Sequence, residues 1–265
     1  MSEWQLLKAI PGRDLSDARL KAHFAAQLVG SASGAIVPEQ ADYGHTALHR
    51  LVGTSLLAGG WFGAGDSRRR VALAPAELRL SVLDGNLSET ASFLLDGHTL
   101  DEGRQWLIGT LGHEFDLIDY EMPPHPVRDG GAFTREDDGA LEAIGRGFVN
   151  ASTLLTSHDG GDVRCWPHHF DIAYLLELGN DKSIGVGWSP GDTSYDEPYW
   201  YVAPWPHPAG PDRPELPGGH WHHEGFVAAI LTTSAIGAHD APEDEMTEVE
   251  SFVTAAIGGS RALLE

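Results

Sequence analysis

Leu78, Leu80 and Val82 alternate with Arg79 and Ser81. After the turn signal Asp84-Gly85-Asn86 the alternation resumes at Ala91, Phe93 and Leu95. Apolar residues at every second position place one strand face inward, and a short Asp-Gly turn returns the chain antiparallel to itself. This stretch predicts a β-hairpin, and its apolar face needs a second layer to cover it.

Helical spacing supplies that layer. Leu20, Phe24 and Leu28 form a stripe in a helix predicted over Leu15–Val29, with Gly30-Ser31-Ala32-Ser33-Gly34 as its stop. Thr99 and Glu102 have capping-box spacing, so a helix is predicted to about Gly112 that buries Leu107 and Leu111. From near Asp138, Leu141, Ile144, Phe148, Ala151 and Leu155 hold helical spacing until Ser157-His158-Asp159-Gly160-Gly161. Strands are predicted at Phe170–Leu176, Ile184–Trp188, Tyr199–Ala203 and Phe226–Thr233. Ser189-Pro190-Gly191-Asp192 has the composition of a type II turn, and the six prolines of 204–219 argue against a central strand there. A last helix is expected with Asp240 as its cap, Pro242 in its first turn, and Met246, Val249, Phe252 and Val253 facing the core.

The expected fold is α+β: antiparallel sheets with packed helices, in two associated helix–strands–helix halves. The halves are residues 1–121 and 138–265, joined by a surface linker over 122–137. Their shared order, and the echo of His113-Glu114-Phe115-Asp116 in His168-His169-Phe170-Asp171, suggest duplication of one unit.

Net charge is −22, and residues 181–265 carry 14 acidic side chains against 3 basic ones. Such a surface repels nucleic acid and anionic membranes, so neither is expected as a partner. Solubility accounts for the charge, and attraction of a cation is the sharper reading. The apolar run Phe226–Leu231 is far shorter than the roughly 20 residues a spanning helix needs. Met1-Ser2-Glu3-Trp4 does not read as a secretory signal, and Cys165 is the single cysteine, so a cytoplasmic location is expected. Cys165 is expected to be a small buried thiol. Arg68-Arg69-Arg70 is the only basic run and is expected to lead a strand.

The chemistry-bearing residues gather after residue 160. Trp166-Pro167-His168-His169-Phe170-Asp171 and His220-Trp221-His222-His223-Glu224 flank an acidic, aromatic stretch containing Asp192 and Glu197. Imidazole and carboxylate together suit Zn²⁺, Fe²⁺ or Mn²⁺, so a divalent metal is the candidate cofactor, with His169, Asp171, His220 and His222 as ligands. In an extended 220–224 segment, His220, His222 and Glu224 share one face and His223 takes the other. Of adjacent His168 and His169 in a strand, one would serve as ligand or base and the other would be packed. His45 and His49 have i, i+4 spacing that fits one helix face. Asp192-Thr193-Ser194-Tyr195-Asp196-Glu197 resembles part of a calcium loop, without its glycine and closing glutamate.

For acid–base work the candidates are His169, Asp171, Asp192, Glu197 and Glu224, with His222 as a further partner. Tyr195, Tyr199, Trp200, Tyr201, Trp205 and Trp221 would wall the pocket, or simply fill a sheet, which favours aromatics anyway. No nucleophile elbow, Walker loop or dinucleotide fingerprint is present.

Val163–Ile172, Ile184–Asp192, Glu197-Pro198-Tyr199-Trp200-Tyr201 and Gly219–Gly225 together resemble an uncharacterised bacterial family of unknown function, over roughly residues 160–236. The resemblance implies no reaction, substrate or cofactor. Two expectations follow from the residues themselves. One is a small-molecule pocket, acid–base or metal-dependent, in the C-terminal half. The other is a non-catalytic module that self-associates as a homo-oligomer through its aromatics and the proline-rich 204–219 segment.

Overall fold

The computed structural model describes residues 3–7, 12–136, 139–158, 162–210 and 212–265. The protein is α+β, with two antiparallel sheets and four α-helices among the described residues. It divides into two compact units that interleave along the chain. One, here the amino-side unit, is Arg13–Gly145 plus Arg164–Phe170. The other, the carboxyl-side unit, is Met1–Gly12, Arg146–Val163 and Asp171–Glu265. The division therefore differs from a cut at 122–137. No described helix is long and apolar enough to cross a membrane.

In the amino-side unit, α1 (Gly12–Ile36) runs straight through Gly30 and Gly34. These glycines serve close approach: a Cβ on Gly30 would lie 2.7 Å from the Pro167 ring, and one on Gly34 would lie 3.1 Å from Thr46. The packing gained outweighs the helix penalty of roughly 1 kcal/mol per glycine. Strands β1 (His49–Arg50), β2 (Leu57–Ala58), β3 (Arg69–Ala74), β4 (Arg79–Asp84) and β5 (Glu89–Leu94) form a meander in chain order. The β4–β5 hairpin forms as the alternation predicts, with Asp84 Oδ1 accepting from the amides of Asn86 and Ser88 at its turn. Next, α2 (Leu100–Leu111) opens on the predicted capping box. The Glu102 amide donates to Thr99 Oγ1 at 3.2 Å, and the Thr99 amide donates to Glu102 Oε2 at 2.7 Å.

Three expectations fail in this unit. The stop expected at Gly30–Gly34 does not end α1, which continues to Ile36. His45 lies in a single 3-10 turn and His49 begins β1, so they share no helix face. The segment expected as a surface linker is an integral part of the unit. Met122, Val127 and Phe133 are buried, and Phe133 exchanges backbone hydrogen bonds with Gly97 and His98. Its prolines and glycines shape turns over a core; they do not mark a boundary.

Helix α3 (Ala140–Ser157) buries Leu141, Ile144, Phe148, Ala151 and Leu155 as predicted, and the unit boundary falls within it. Of the stop signal expected after it, residues 159–161 lie outside the described residues. Strand β6 (Arg164–Trp166) returns to the amino-side unit, where buried Cys165 pairs with Leu48 by amide bonds of 2.9 and 2.7 Å.

In the carboxyl-side unit, β7 (Asp171–Gly179), β8 (Lys182–Ser189), β9 (Tyr199–Trp205), β10 (His220–His222) and β11 (Ala228–Thr232) lie in the order β10-β11-β9-β8-β7, all antiparallel. Strand β9 includes Pro204 despite its missing N–H. Pairing with β11 ends at Val202, so Pro204 sits where β9 has only its β8 neighbour. Gly191 takes the positive φ expected of the turn after β8. Helix α4 (Pro242–Leu264) is capped one residue later than expected, at Ala241, and buries Val249, Phe252 and Val253.

Two-residue alternation divides this sheet into two faces. Ile172, Val186, Trp188, Trp200, Val202 and Leu231 belong to the face packed by helices. There Gly147 of α3 lies so close to Trp188 that a Cβ would come within 2.2 Å of the indole. Asp171, Tyr199, Tyr201, His220 and His222 belong to the other face.

Candidate functional site

Cross-strand register builds the second face. Ala173 pairs with Gly187, Gly187 with Tyr201, Tyr201 with Ile230, and Ile230 with His220. Directly opposed residues point the same way, so this row crosses β7, β8, β9, β11 and β10 on one face. His222 opposite Ala228, and Tyr199 opposite Ser189 and Thr232, extend it on either side.

Gly185 and Gly187 explain how the row carries polar groups. A Cβ on Gly187 would lie 2.5 Å from the Tyr201 hydroxyl oxygen and 2.7 Å from Ala173 Cβ, and one on Gly185 would lie 3.9 Å from the Tyr201 ring. The ring of Tyr201 therefore lies across β8, in the space the two glycines leave, and its hydroxyl donates to Asp171 Oδ2 on β7. One residue pair along, the Tyr199 hydroxyl donates to Asp192 Oδ2 at 2.6 Å. Burial, and next the Asp171 carboxylate, push the Tyr201 phenol well up; burial and the bond to Asp192 do the same at Tyr199. Both phenols stay neutral donors.

The loop between β8 and β9 then places Tyr195. Asp192 Oδ1 accepts from the amides of Ser194 at 2.7 Å and Tyr195 at 3.0 Å, and the Asp192 amide donates to the Tyr195 carbonyl at 2.8 Å. This Asx turn sets the ring of Tyr195 4.9 Å from that of Tyr199. Its hydroxyl lies 2.9 Å from His220 Nε2 and 2.8 Å from His222 Nδ1.

The direction of these bonds follows from one fixed point. His222 Nε2 lies 2.8 Å from the Glu224 carbonyl oxygen, which only accepts. Nε2 of His222 therefore carries a proton, and in the neutral ring Nδ1 is the acceptor. Tyr195 donates to that Nδ1, so its oxygen accepts from His220 Nε2–H. The result is a directed chain from His220 through Tyr195 and His222 to the Glu224 carbonyl. Nδ1 of exposed His220 is left as the lone pair at the open end. Burial, then the neighbouring His222 and His223, lower the pKa of His220 and keep it neutral. The His222 ring is stacked on Phe226 with centroids 4.1 Å apart.

The candidate residues divide accordingly. Asp171, Asp192, His220 and His222 share this face of the carboxyl-side unit. Glu224 contributes its backbone carbonyl to the relay, because β10 ends at His222 and the alternation expected to carry its carboxylate there stops. Glu197 accepts from the Ser234 amide at 2.7 Å and hydroxyl at 2.6 Å, and so pins the turn after β11. His169 belongs to the amino-side unit. There residues 166–170 form a tight turn, with the amides of His169 and Phe170 both donating to the Trp166 carbonyl. His168 and His169 both stand exposed on it, rings 4.3 Å apart, so the expected strand alternation between them does not apply. His23 Nε2 at 2.6 Å, together with Gln27, holds the Pro167 carbonyl beneath the turn.

Among the described residues, no three His, Cys, Asp or Glu side chains are grouped as a metal would need. His220 and His222 converge on a phenol oxygen, and both oxygens of Asp192 accept from its own loop and from Tyr199. The expected aromatic wall also splits. Tyr195, Tyr199, Tyr201 and exposed Trp205 lie on the polar face. Trp200 and Trp221 lie on the other, where the Trp221 indole donates to the Pro214 carbonyl at 2.9 Å. Sequence reasoning missed Tyr195 as a bridging group, because the loop that brings it to the two imidazoles has no local signature. Comparison of the chain with protein families, curated proteins and solved structures finds no match.

Proposed function

We propose that the polar face of the carboxyl-side sheet binds a small molecule and performs acid–base chemistry on it, with His220 as the base. The single observation that carries this reading is the Tyr195 hydroxyl placed between two imidazoles whose tautomers are set. A substrate proton passes to His220 Nδ1, His220 Nε2–H moves to the Tyr195 oxygen, and the Tyr195 proton moves to His222 Nδ1. The new charge comes to rest on His222, one residue pair away from the reacting atom and within a strongly acidic chain. Asp192 positions Tyr195 and Tyr199, and Asp171 positions Tyr201. The two transfers inside the protein need no large movement, because the His220–Tyr195 and Tyr195–His222 hydrogen bonds already exist.

The test is ligand-detected NMR against a metabolite collection, using wild type, Tyr195→Phe and His220→Gln. The expected result is at least one ligand whose binding is lost or weakened at least tenfold in both variants. A set of ligands indifferent to both substitutions, or no ligand at all, overturns the reading.

A second reading rests on a different observation. Leu175 and Trp205 are each more than half exposed on this same face, 56% and 55% respectively. Exposed large apolar side chains on one sheet face suit self-association. Sedimentation of wild type against Trp205→Ser tests it: a dimer that the substitution dissociates supports it, and a monomeric wild type rejects it.

A further inference from the structure

The one basic run of this acidic chain, Arg68–Arg70, lies in the amino-side unit at the start of β3. Phe62 pairs with Arg69, so Trp61 stands opposite Arg70. Arg68 is extended and two residues from Arg70, so both arginines take the Trp61 side while Arg69 turns towards Phe62. The guanidinium carbons of Arg68 and Arg70 lie 4.3 and 4.8 Å from the centre of the Trp61 ring.

Arg70 is 7% exposed. Its Nε donates to the Gly59 carbonyl at 3.0 Å, and its Nη2 donates to the carbonyls of Gly59 and Ala58. Nη1, with two N–H groups, is used by nothing else among the described residues. Arg68 is exposed, and among the described residues its guanidinium makes no hydrogen bond or ion pair beyond its contact with the indole. No described carboxylate pairs with either residue, although the chain holds 39 acidic side chains against 17 basic ones. Taking a guanidinium out of water without a counter-ion is costly, and this chain has acids to spare for the purpose. Burial, then the nearby Arg68 charge, lowers the Arg70 pKa to about 10, which leaves it a cation at neutral pH.

We propose that Arg68 and Arg70, held by Trp61, form a binding site for a small oxyanion, a phosphate- or carboxylate-bearing ligand. The arrangement provides what such a ligand needs: planar donors in fixed orientation, a rigid aromatic support, and no competing carboxylate. The carbonyl bonds of Arg70 hold its fork in place before the ligand arrives, and Arg68 supplies a full set of uncommitted donors.

The test is calorimetric titration of the full chain with pyrophosphate and, separately, with malonate, each at constant ionic strength against a chloride control. The Arg70 Nε–H resonance is followed by NMR in parallel. Saturable binding of either anion at one site, with the Arg70 signal moving, is the expected result. Which anion binds distinguishes a phosphate from a carboxylate ligand. Because Arg70 also ties Gly59, the variant is Arg68→Gln: affinity falls at least tenfold, and Arg68→Lys restores part of it. Absence of saturable binding overturns the proposal, as does equal affinity in wild type and Arg68→Gln. Self-association that Arg68→Gln abolishes, without anion binding, also overturns it and assigns the arginines to an acidic surface of a second copy.

Discussion

The strings Trp166–Asp171 and His220–Glu224 have almost the same chemical content, two or three histidines and one acid beside tryptophan, but they do different work. The first is a turn. Its backbone is folded so tightly that Phe170 takes a left-handed φ of 58°, with its buried ring stacked on His23. Its histidines face outward, and its ordering comes from α1 beneath it. The second begins as a strand, and alternation there brings His220 and His222 to one phenol. The difference teaches that a histidine cluster in sequence is not a cluster in space: the period of the backbone decides which imidazoles meet.

Four experiments sharpen or break this contrast, in falling order of effect. The support beneath the turn depends on a neutral His23, whose burial lowers its pKa from 6.5 to about 4. Between those values the unfolded chain binds a proton that the folded chain refuses. Stability is therefore full above pH 6.5 and is lost as pH falls towards 4, by about 3 kcal/mol from this residue. Urea unfolding at pH 7 and 4.5 should show that loss in wild type and a clearly smaller one in His23→Gln; equal losses would remove His23 from the account. On the sheet, Gly187→Ala drives a methyl into Tyr201 and Ala173. It should cost roughly 2 kcal/mol, read by urea unfolding at neutral pH.

Tyr195→Phe deletes the hydroxyl between the two imidazoles and should cost about 1 kcal/mol. The more telling measurement is the ring ¹⁵N shifts of His220 and His222. They should report Nε2–H on both rings in wild type, with His220 losing its preference in the variant. A His220 tautomer unchanged by the substitution would mean that Tyr195 does not direct the chain. Smallest of all, His169→Ala on the exposed turn should change stability by less than about 0.5 kcal/mol. A larger loss would give the first string a structural role for its outward histidines and erase the contrast.

Much of the fold was legible because its signals are local. The β4–β5 hairpin, the Thr99–Glu102 capping box and the apolar stripe of α3 each depend on residues within a turn or two of one another. What was not legible depends on distant partners. Gly30 reads as a helix stop, but its reason for being glycine is Pro167, far along the chain. Residues 122–137 read as a linker from their prolines and glycines, but Phe133 is buried by strands and helices that composition does not reveal. In the site, alternation along β10 correctly put His220 and His222 on one face, while His223 lies past the end of the strand. His223 Nδ1 instead lies 3.1 Å from the Trp221 carbonyl oxygen. The strand's early end, which took the Glu224 carboxylate out of the set, and the loop closure that brings Tyr195 across, have no local signature.

The ring of Tyr201 occupying the space above Gly185 and Gly187 has an evolutionary consequence. In effect β8 borrows a side chain from its neighbour, so substitutions at positions 187 and 201 will not act independently. An alanine at 187 that harms the wild-type protein should be nearly harmless once Tyr201 has become alanine, and a bulky aromatic at 201 should be accepted only over glycine. Such epistasis would tie these two sites together in any selection for a working sheet, however far apart they stand in the chain.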